Sequence, residues 1–139
     1  MQHFLTWWSG KDMVMEDRQV FSRYSSGEFP FGLGCICGEA MDSFAGVTPA
    51  LECGPAEFMA NGNGSLMRIF PFSMYCIVHG LDLEQTVELI GNASAIAHGH
   101  DISKMGCLVY TELLRGITEG KTIRDAFLGA VSADYSRWY

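Results

Sequence analysis

The feature that most constrains the fold of this chain is the spacing of apolar residues in its second half. Between positions 83 and 97 they recur every three or four residues, at Leu83, Val87, Ile90, Ala93 and Ala97. This spacing places them on one face of an α-helix, and similar stripes follow over 102–113 and 123–131. We find no stretch with the every-second-residue alternation of a half-buried strand. The pattern predicts an all-α fold, an orthogonal helical bundle of hairpins joined by short loops.

Local signals set the expected ends of these helices. Asp82 is followed three residues later by Gln85, which is the spacing of a capping box, and Thr122 precedes Asp125 in the same way. Asp101 is the expected start of the helix between them. Glycines at positions 80, 99 and 120 are the expected stop signals. The last helix has no such stop and is expected to run to Tyr139.

The remaining segments are less regular. Residues 65–78 are apolar on almost every side, which predicts a helix buried on most faces, with Pro71 as a kink. A glycine-weakened helix is expected over 31–44, a long irregular connection over 46–64, and a short aromatic helix over 1–10. We expect residues 1–139 to form a single all-helical domain.

Composition narrows the classes of function. The net charge is −7 and no run of Lys or Arg occurs, which argues against binding to a nucleic-acid polymer. No apolar run approaches the roughly 20 residues that span a bilayer. The five cysteines are an odd number without a secretory leader, which favours reduced thiols and a cytoplasmic location. Because only 18% of the residues are charged, self-association is also expected.

One bend of small polar residues is a candidate anion site. It comprises Asn61, Gly62, Asn63, Gly64 and Ser65. Glycine and asparagine tolerate positive φ, so such a bend can turn its backbone N–H groups toward a phosphate or diphosphate at a helix start. Arg68 could add a forked donor to that site. The alternative is an ordinary cap, in which Asn63 or Ser65 satisfies the helix and Arg68 pairs with a carboxylate.

Two histidines flank a glycine at a second candidate site. His98 and His100 lie between two predicted helices and could act as ligands, as a base, or as donors to a ribose or phosphate. Two histidines alone do not complete a metal site. The alternative is a polar corner between helices with Asp101 as the cap.

Two further groups are weaker candidates. Cys35 and Cys37 could bind metal or act in redox chemistry, but no second cysteine pair with zinc spacing accompanies them. Asp12, Glu16 and Asp17 are interleaved with basic residues and fit a solvated surface better than a carboxylate site.

The bend and the histidine corner together resemble a known family. Residues 61–68 resemble the Gly-Asn-Gly-x-x-Met-Arg signature of ADP-ribosylglycohydrolases, of the dinitrogenase reductase-activating type. Residues 94–100 resemble that family's Thr-His turn, with Ala97 in place of the usual threonine. The resemblance covers roughly residues 29–120 and more loosely 4–10.

The resemblance implies a helical bundle whose cleft holds two divalent cations, usually Mg²⁺ and in some members Mn²⁺. These ions organise the ribose and a water that attacks the anomeric carbon of ADP-ribose on a protein side chain or another acceptor. His98 would line the ribose or adenosine side, and Arg68 would support the bend. The residues implied to hold the diphosphate region are Gly62, Asn63, Gly64 and Ser65.

The sequence departs from the family in its acidic motifs. The family's metal ligands come from a Thr-Asp-Asp-Thr-like motif and an Asp-x-Asp-Thr-like motif, and neither occurs here. We therefore expect an internal fragment of a larger domain, with no catalytic residue and no metal ligand of its own. Two functions stay open: metal-dependent hydrolysis of ADP-ribosylated substrates when the missing segments are supplied, or a non-catalytic helical module that keeps part of an ADP-ribose pocket.

Overall fold

The computed structural model describes residues 34–139, and this part of the chain is helical without a strand. Its elements are α1 (Cys35–Ala45), a 3-10 turn (Ala50–Glu52), α2 (Gly64–Arg68), α3 (Phe70–Val78), α4 (Leu83–Ala95), α5 (Asp101–Thr118) and α6 (Ile123–Ser132). The all-α prediction is confirmed. The aromatic helix predicted over 1–10 and the acidic group at 12–17 lie outside the described residues.

Two predicted helix starts are present in the structure. Asp82 accepts a hydrogen bond from the backbone N–H of Gln85 at 2.9 Å, and the Gln85 side chain accepts one in return from the Asp82 N–H at 3.1 Å. At α6, the Thr122 hydroxyl oxygen accepts from the N–H of Asp125 at 3.1 Å. Both caps satisfy N–H groups that have no partner inside the helix, and each contributes about 1 kcal/mol.

The start of α5 differs from the prediction. His100, not Asp101, is the N-cap residue, because its imidazole Nδ1 accepts the N–H of Ile102 at 3.1 Å. Asp101 is already helical and pairs instead with Lys104 at 3.3 Å. A carboxylate in the first turn still interacts favourably with the positive end of the helix.

The apolar stretch over 65–78 forms two helices rather than one kinked helix. The helix is interrupted at Ile69, between α2 and α3. Pro71 lies in the first turn of α3, where its missing N–H costs no hydrogen bond. Ile69, Ser73 and Cys76 are fully buried, while Met67 is 76% exposed. The prediction of a helix buried on most sides is therefore wrong.

The core lies around α5, which packs against α4 and α6. Leu108 of α5, Ile90 of α4 and Ile69 are all completely buried and belong to one cluster. Gly116 allows α6 to approach closely, since a Cβ there would lie 2.8 Å from the Cβ of Ala126. The predicted inner stripes are only partly correct, because Ile102 and Ile123 are exposed.

The C-terminal residues leave the helix before the predicted end. α6 stops at Ser132, and the Tyr135 hydroxyl donates to the carbonyl of Ala130 at 2.8 Å. This bond holds Tyr135 in the core beside Ile90 and Leu108. None of the helices over 34–139 combines the length and the apolar character needed to cross a membrane.

Candidate functional site

The bend over 61–65 lies at the start of α2 and is tied to α5 by its first residue. The Asn61 side-chain amide donates to the carbonyl of Phe58 at 2.6 Å, and its oxygen accepts from the Ser103 hydroxyl at 3.0 Å. Both functional atoms of Asn61 are therefore used within the protein. This residue is predicted to contact a ligand, and in the structure it positions the bend.

The two predicted motifs meet in the structure, since the glycines of the bend lie against the ring of His98. A Cβ built on Gly64 would lie 2.8 Å from Cε1 and 3.3 Å from Nε2 of that ring. One built on Gly62 would lie 3.3 Å from the same Nε2. Real Cβ atoms do not approach other atoms within 3.0 Å, so the close packing requires glycine at position 64.

The reason for these glycines differs from the prediction. The only glycines with positive φ in the described part of the chain are Gly80 and Gly120, and Asn63 has φ of −82°. The bend therefore does not use the left-handed backbone that we expected of an anion cradle. Gly64 is favoured by space, because a Cβ there would overlap the His98 ring, and a Cβ at Gly62 would lie tightly against Ile36 and the same ring.

The bend leaves several backbone donors open. Over 34–139, no backbone or side-chain acceptor is found for the N–H groups of Gly62, Asn63, Gly64 and Ser65. Asn63 is exposed and its side chain makes no capping bond, and the buried Ser65 hydroxyl lies 3.5 Å from the Cys107 sulfur. The alternative of a side-chain cap by Asn63 or Ser65 is therefore not what the structure shows.

His98 is buried beneath the bend with an exposure of 2%. Its backbone is fixed, because its N–H donates to the Ser94 carbonyl at 2.8 Å and its carbonyl accepts from the Ser94 hydroxyl at 3.0 Å. Its Nδ1 has no hydrogen-bond partner among the described residues. Burial, together with the neighbouring charge of Arg68, lowers the pKa of the His98 imidazole.

A second segment holds the histidine corner from the other side. The Gly54 N–H donates to the carbonyl of Ala95 at 3.0 Å, and the Gly99 N–H donates to the carbonyl of Pro55 at 2.9 Å. A Cβ on Gly54 would lie 2.3 Å from the Ala95 oxygen. Sequence reasoning assigned no role to Gly54, although a Gly-Pro pair in a long connection is the kind of signal that marks such contacts.

Arg68 supports the corner from within the protein. Its Nη2 donates to the carbonyls of Ala93 at 2.7 Å and Ser94 at 3.4 Å, at the end of α4. It thereby satisfies the Ala93 carbonyl near the end of the helix, while the Ser94 carbonyl also accepts the N–H groups of Ala97 and His98. The predicted alternative, a carboxylate partner for Arg68, is not found over 34–139. Burial lowers the pKa of the guanidinium, although nearby sulfur atoms counter this shift.

His100 is half-buried and lies outside this contact. One ring nitrogen is used to cap α5, and the ring meets the edge of Phe58 with centroids 5.9 Å apart. A ligand-binding role would depend on the other nitrogen. The cap also supplies a structural reason for a histidine at this position.

The first residues of α1 pack against the two glycines of the bend. The Cys37 sulfur would lie 3.1 Å from a Cβ on Gly64, and the Ile36 Cδ1 would lie 3.1 Å from one on Gly62. Burial raises the pKa of the Cys37 thiol, which disfavours its reactive form. Cys35 is exposed. We assigned Ile36 no role from the sequence, because an isolated apolar residue there gives no signal.

The residues over 34–139 do not fit a divalent cation site. Nowhere in that range do three His, Cys, Asp or Glu side chains come together. Mg²⁺ needs oxygen ligands in near-octahedral geometry, and the residues at the bend are amide, glycine, thiol and imidazole groups. A groove of about 520 Å³ runs between α3 and α4, and its lining includes none of the predicted site residues.

Comparison with known proteins agrees with the resemblance in the two motifs. The family model described as ADP-ribosylglycohydrolase matches residues 1–138. No curated protein and no solved structure matches the chain. The match covers nearly the whole length of the chain, and the structure brings both motifs into one site. The chain belongs to the ADP-ribosylglycohydrolase family.

Proposed function

We propose that the bend over 61–65 recognises the diphosphate of ADP-ribose. In this proposal the chain supplies the nucleotide-binding part of the active site of an ADP-ribosyl hydrolase. The observation that carries the proposal is the packing of Gly62 and Gly64 on His98. It joins the two family motifs into one site, and four backbone N–H groups at its edge have no acceptor among residues 34–139. Backbone donors of this kind bind anions.

The charge of the chain makes this local arrangement necessary. With a net charge of −7, the protein as a whole repels an anionic nucleotide, so binding needs donors that act at close range. Asn63 is exposed and without a capping bond, so it is free to face a ligand. Ser65 is buried, and its hydroxyl lies 3.5 Å from the Cys107 sulfur, so its side chain faces the interior of the protein.

Hydrolysis of the glycosidic bond to the acceptor is the proposed activity of the complete site. In this family two divalent cations, usually Mg²⁺, place the attacking water. Residues 34–139 contain no cluster of side chains that could hold such an ion. We therefore expect the 139-residue chain to bind ADP-ribose without turning over ADP-ribosylated protein in Mg²⁺. Metal-dependent release of ADP-ribose would show that the chain is itself an enzyme, and would contradict the alternative of a non-catalytic module.

A substitution at Asn63 tests the binding proposal. Asn63→Asp is nearly isosteric and places an acid at a helix start, so the fold should keep its stability. A diphosphate facing the same carboxylate should bind at least tenfold more weakly, a change of about 1.4 kcal/mol. Titration calorimetry with ADP-ribose measures this difference.

The matched control is Asn92→Asp, which adds the same charge at an exposed position on α4, in the groove with Phe72 and Tyr75. It should leave the affinity close to that of the parent chain. Equal weakening by both variants would indicate an effect of net charge alone. An unchanged affinity in Asn63→Asp would remove the bend from the ligand site.

A further inference from the structure

The contact between His98 and the bend depends on a ring that is closed off from water. His98 is 2% exposed, and the glycines at 62 and 64 leave its Nε2 only 3.3 Å from each built Cβ position. A charge placed on this ring would have no room for water around it. The bend and the ring therefore fit each other only if the ring needs no hydration.

Within the described part of the chain, the groups around His98 do not compensate a positive charge on its ring. A protonated imidazole has two N–H donors, while Nδ1 of His98 faces no acceptor in the described part of the chain. Among residues 34–139, the charged or titratable groups near the ring are Arg68 from α2, the Cys37 thiol from α1, and the Cys53 thiol, which is buried in one cluster with Ala97. Arg68 is held by two carbonyls and cannot move away easily, and the backbone of Gly54 and Pro55 is hydrogen-bonded to the corner.

We propose that His98 is a positioning residue which holds the Gly62–Gly64 bend only while its imidazole is neutral, so that protonation releases the bend and weakens the ADP-ribose subsite. The inference rests on the proposed function for its effect on binding. The structural part, movement of the bend with protonation, stands on the burial and contacts of His98 alone.

The direction of the pH effect follows from the burial. The pKa of His98 is lowered in the closed arrangement, whereas a released, hydrated ring regains a value of about 6.5. The closed bend is therefore stable above about pH 6.5 and loses stability as the pH falls from there toward the lowered value. Within that window the ratio of released to closed bend rises by up to about tenfold per pH unit.

NMR of the full chain tests the structural part directly. Between about pH 7.5 and 5.0, the amide resonances of Gly62 and Gly64 should shift with the same midpoint as the His98 ring, because the ring lies against both residues. That midpoint should lie below the ordinary histidine value of about 6.5. Glycine resonances that stay in place while His98 titrates, or a His98 midpoint at or above about 6.5, would overturn the proposal.

Two variants extend the test. In His98→Gln the glycine resonances should no longer respond to pH, whereas the control His79→Gln should behave as the parent chain. If His98→Gln does not fold, the comparison of His98 with the two glycines in the parent chain still decides the question. A pH response of the glycines that persists in His98→Gln would refute the role of this histidine.

Calorimetry separates this inference from the proposed function. The affinity for ADP-ribose should fall as the pH drops below about 6.5 in the parent chain, by no more than about fivefold between pH 6.5 and 5.5, and should stay constant in His98→Gln. Equal pH dependence in both chains would refute the coupling. No binding of ADP-ribose at pH 7.5 would refute the proposed function, and the NMR titration would still decide whether His98 holds the bend.

Discussion

The contact between Gly64 and His98 makes a quantitative prediction for a single methyl group. In Gly64→Ala the new Cβ would lie 2.8 Å from Cε1 of His98 and 3.1 Å from the Cys37 sulfur. His98 is fully buried and its backbone is fixed by Ser94, so the ring has little space in which to retreat. Overpacking of this kind costs about 1–3 kcal/mol.

A second glycine supplies the control. Gly106 lies on α5 with no atom within 4 Å of a built Cβ, so Gly106→Ala adds a methyl group in open space. Alanine in place of glycine in a helix stabilises by about 1 kcal/mol. The two variants should therefore change stability in opposite directions, with a difference of about 2 kcal/mol or more between their free energies of unfolding.

Urea denaturation followed by far-ultraviolet circular dichroism measures this difference. With a slope of about 2 kcal/mol per molar urea, the two midpoints should separate by about 1 M. A double variant identifies the cause: in a His98→Ala background, Gly64→Ala should lose most of its cost because the ring is gone. Gly64→Ala as stable as Gly106→Ala, or a cost that persists without the ring, would refute the packing argument.

Three further predictions follow from other contacts. Arg68→Met removes the charged donor from the Ala93 carbonyl and should lower the free energy of unfolding by about 2 kcal/mol in urea, and an unchanged midpoint would show that solvent replaces the bond. Gly91→Ala should stabilise by less than the roughly 1 kcal/mol expected in a helix, because its Cβ would lie 2.8 Å from the Tyr139 hydroxyl, and the gain should be larger in a Tyr139→Phe background in the same assay; equal gains in both backgrounds would contradict the contact. The pKa of His98 is lowered in the fold, so the free energy of unfolding should fall below about pH 6.5 by up to about 1.4 kcal/mol per pH unit, and the slope in His98→Gln should be smaller by that amount. Equal slopes would mean that His98 is not buried as a neutral ring.

The helix starts could be predicted because each depends on residues within one turn. Asp82 with Gln85 and Thr122 with Asp125 need only four consecutive positions, and the structure contains both caps. The start of α5 was harder to assign, since His100 and the following Asp101 can both cap a helix. Sequence alone does not decide between neighbours when each has an acceptor of suitable reach.

The exposure of helix faces was predicted less well. The stripes of α5 and α6 were expected to face inward, yet Ile102 and Ile123 are exposed. Periodicity identifies an apolar face but does not show how far a neighbouring helix extends along it. The buried face of α5 instead includes Thr111, which pairs with Ser73 of α3 at 2.8 Å, and Gly116. Polar and small residues at close helix contacts give no apolar signal in the sequence.

The candidate site shows why a motif can be located correctly for an incorrect physical reason. The bend and the histidine corner do meet, but the prediction explained the glycines by backbone torsion, a property of one residue. The structure explains them by the ring of His98, which lies more than thirty positions along the chain. A torsional requirement would hold the bend whatever stands at position 98, whereas a packing requirement couples the bend to the size and charge of that side chain. The conformation of the bend thus depends on residues of both motifs. A change at His98 should alter the bend even when every residue from 61 to 65 is kept.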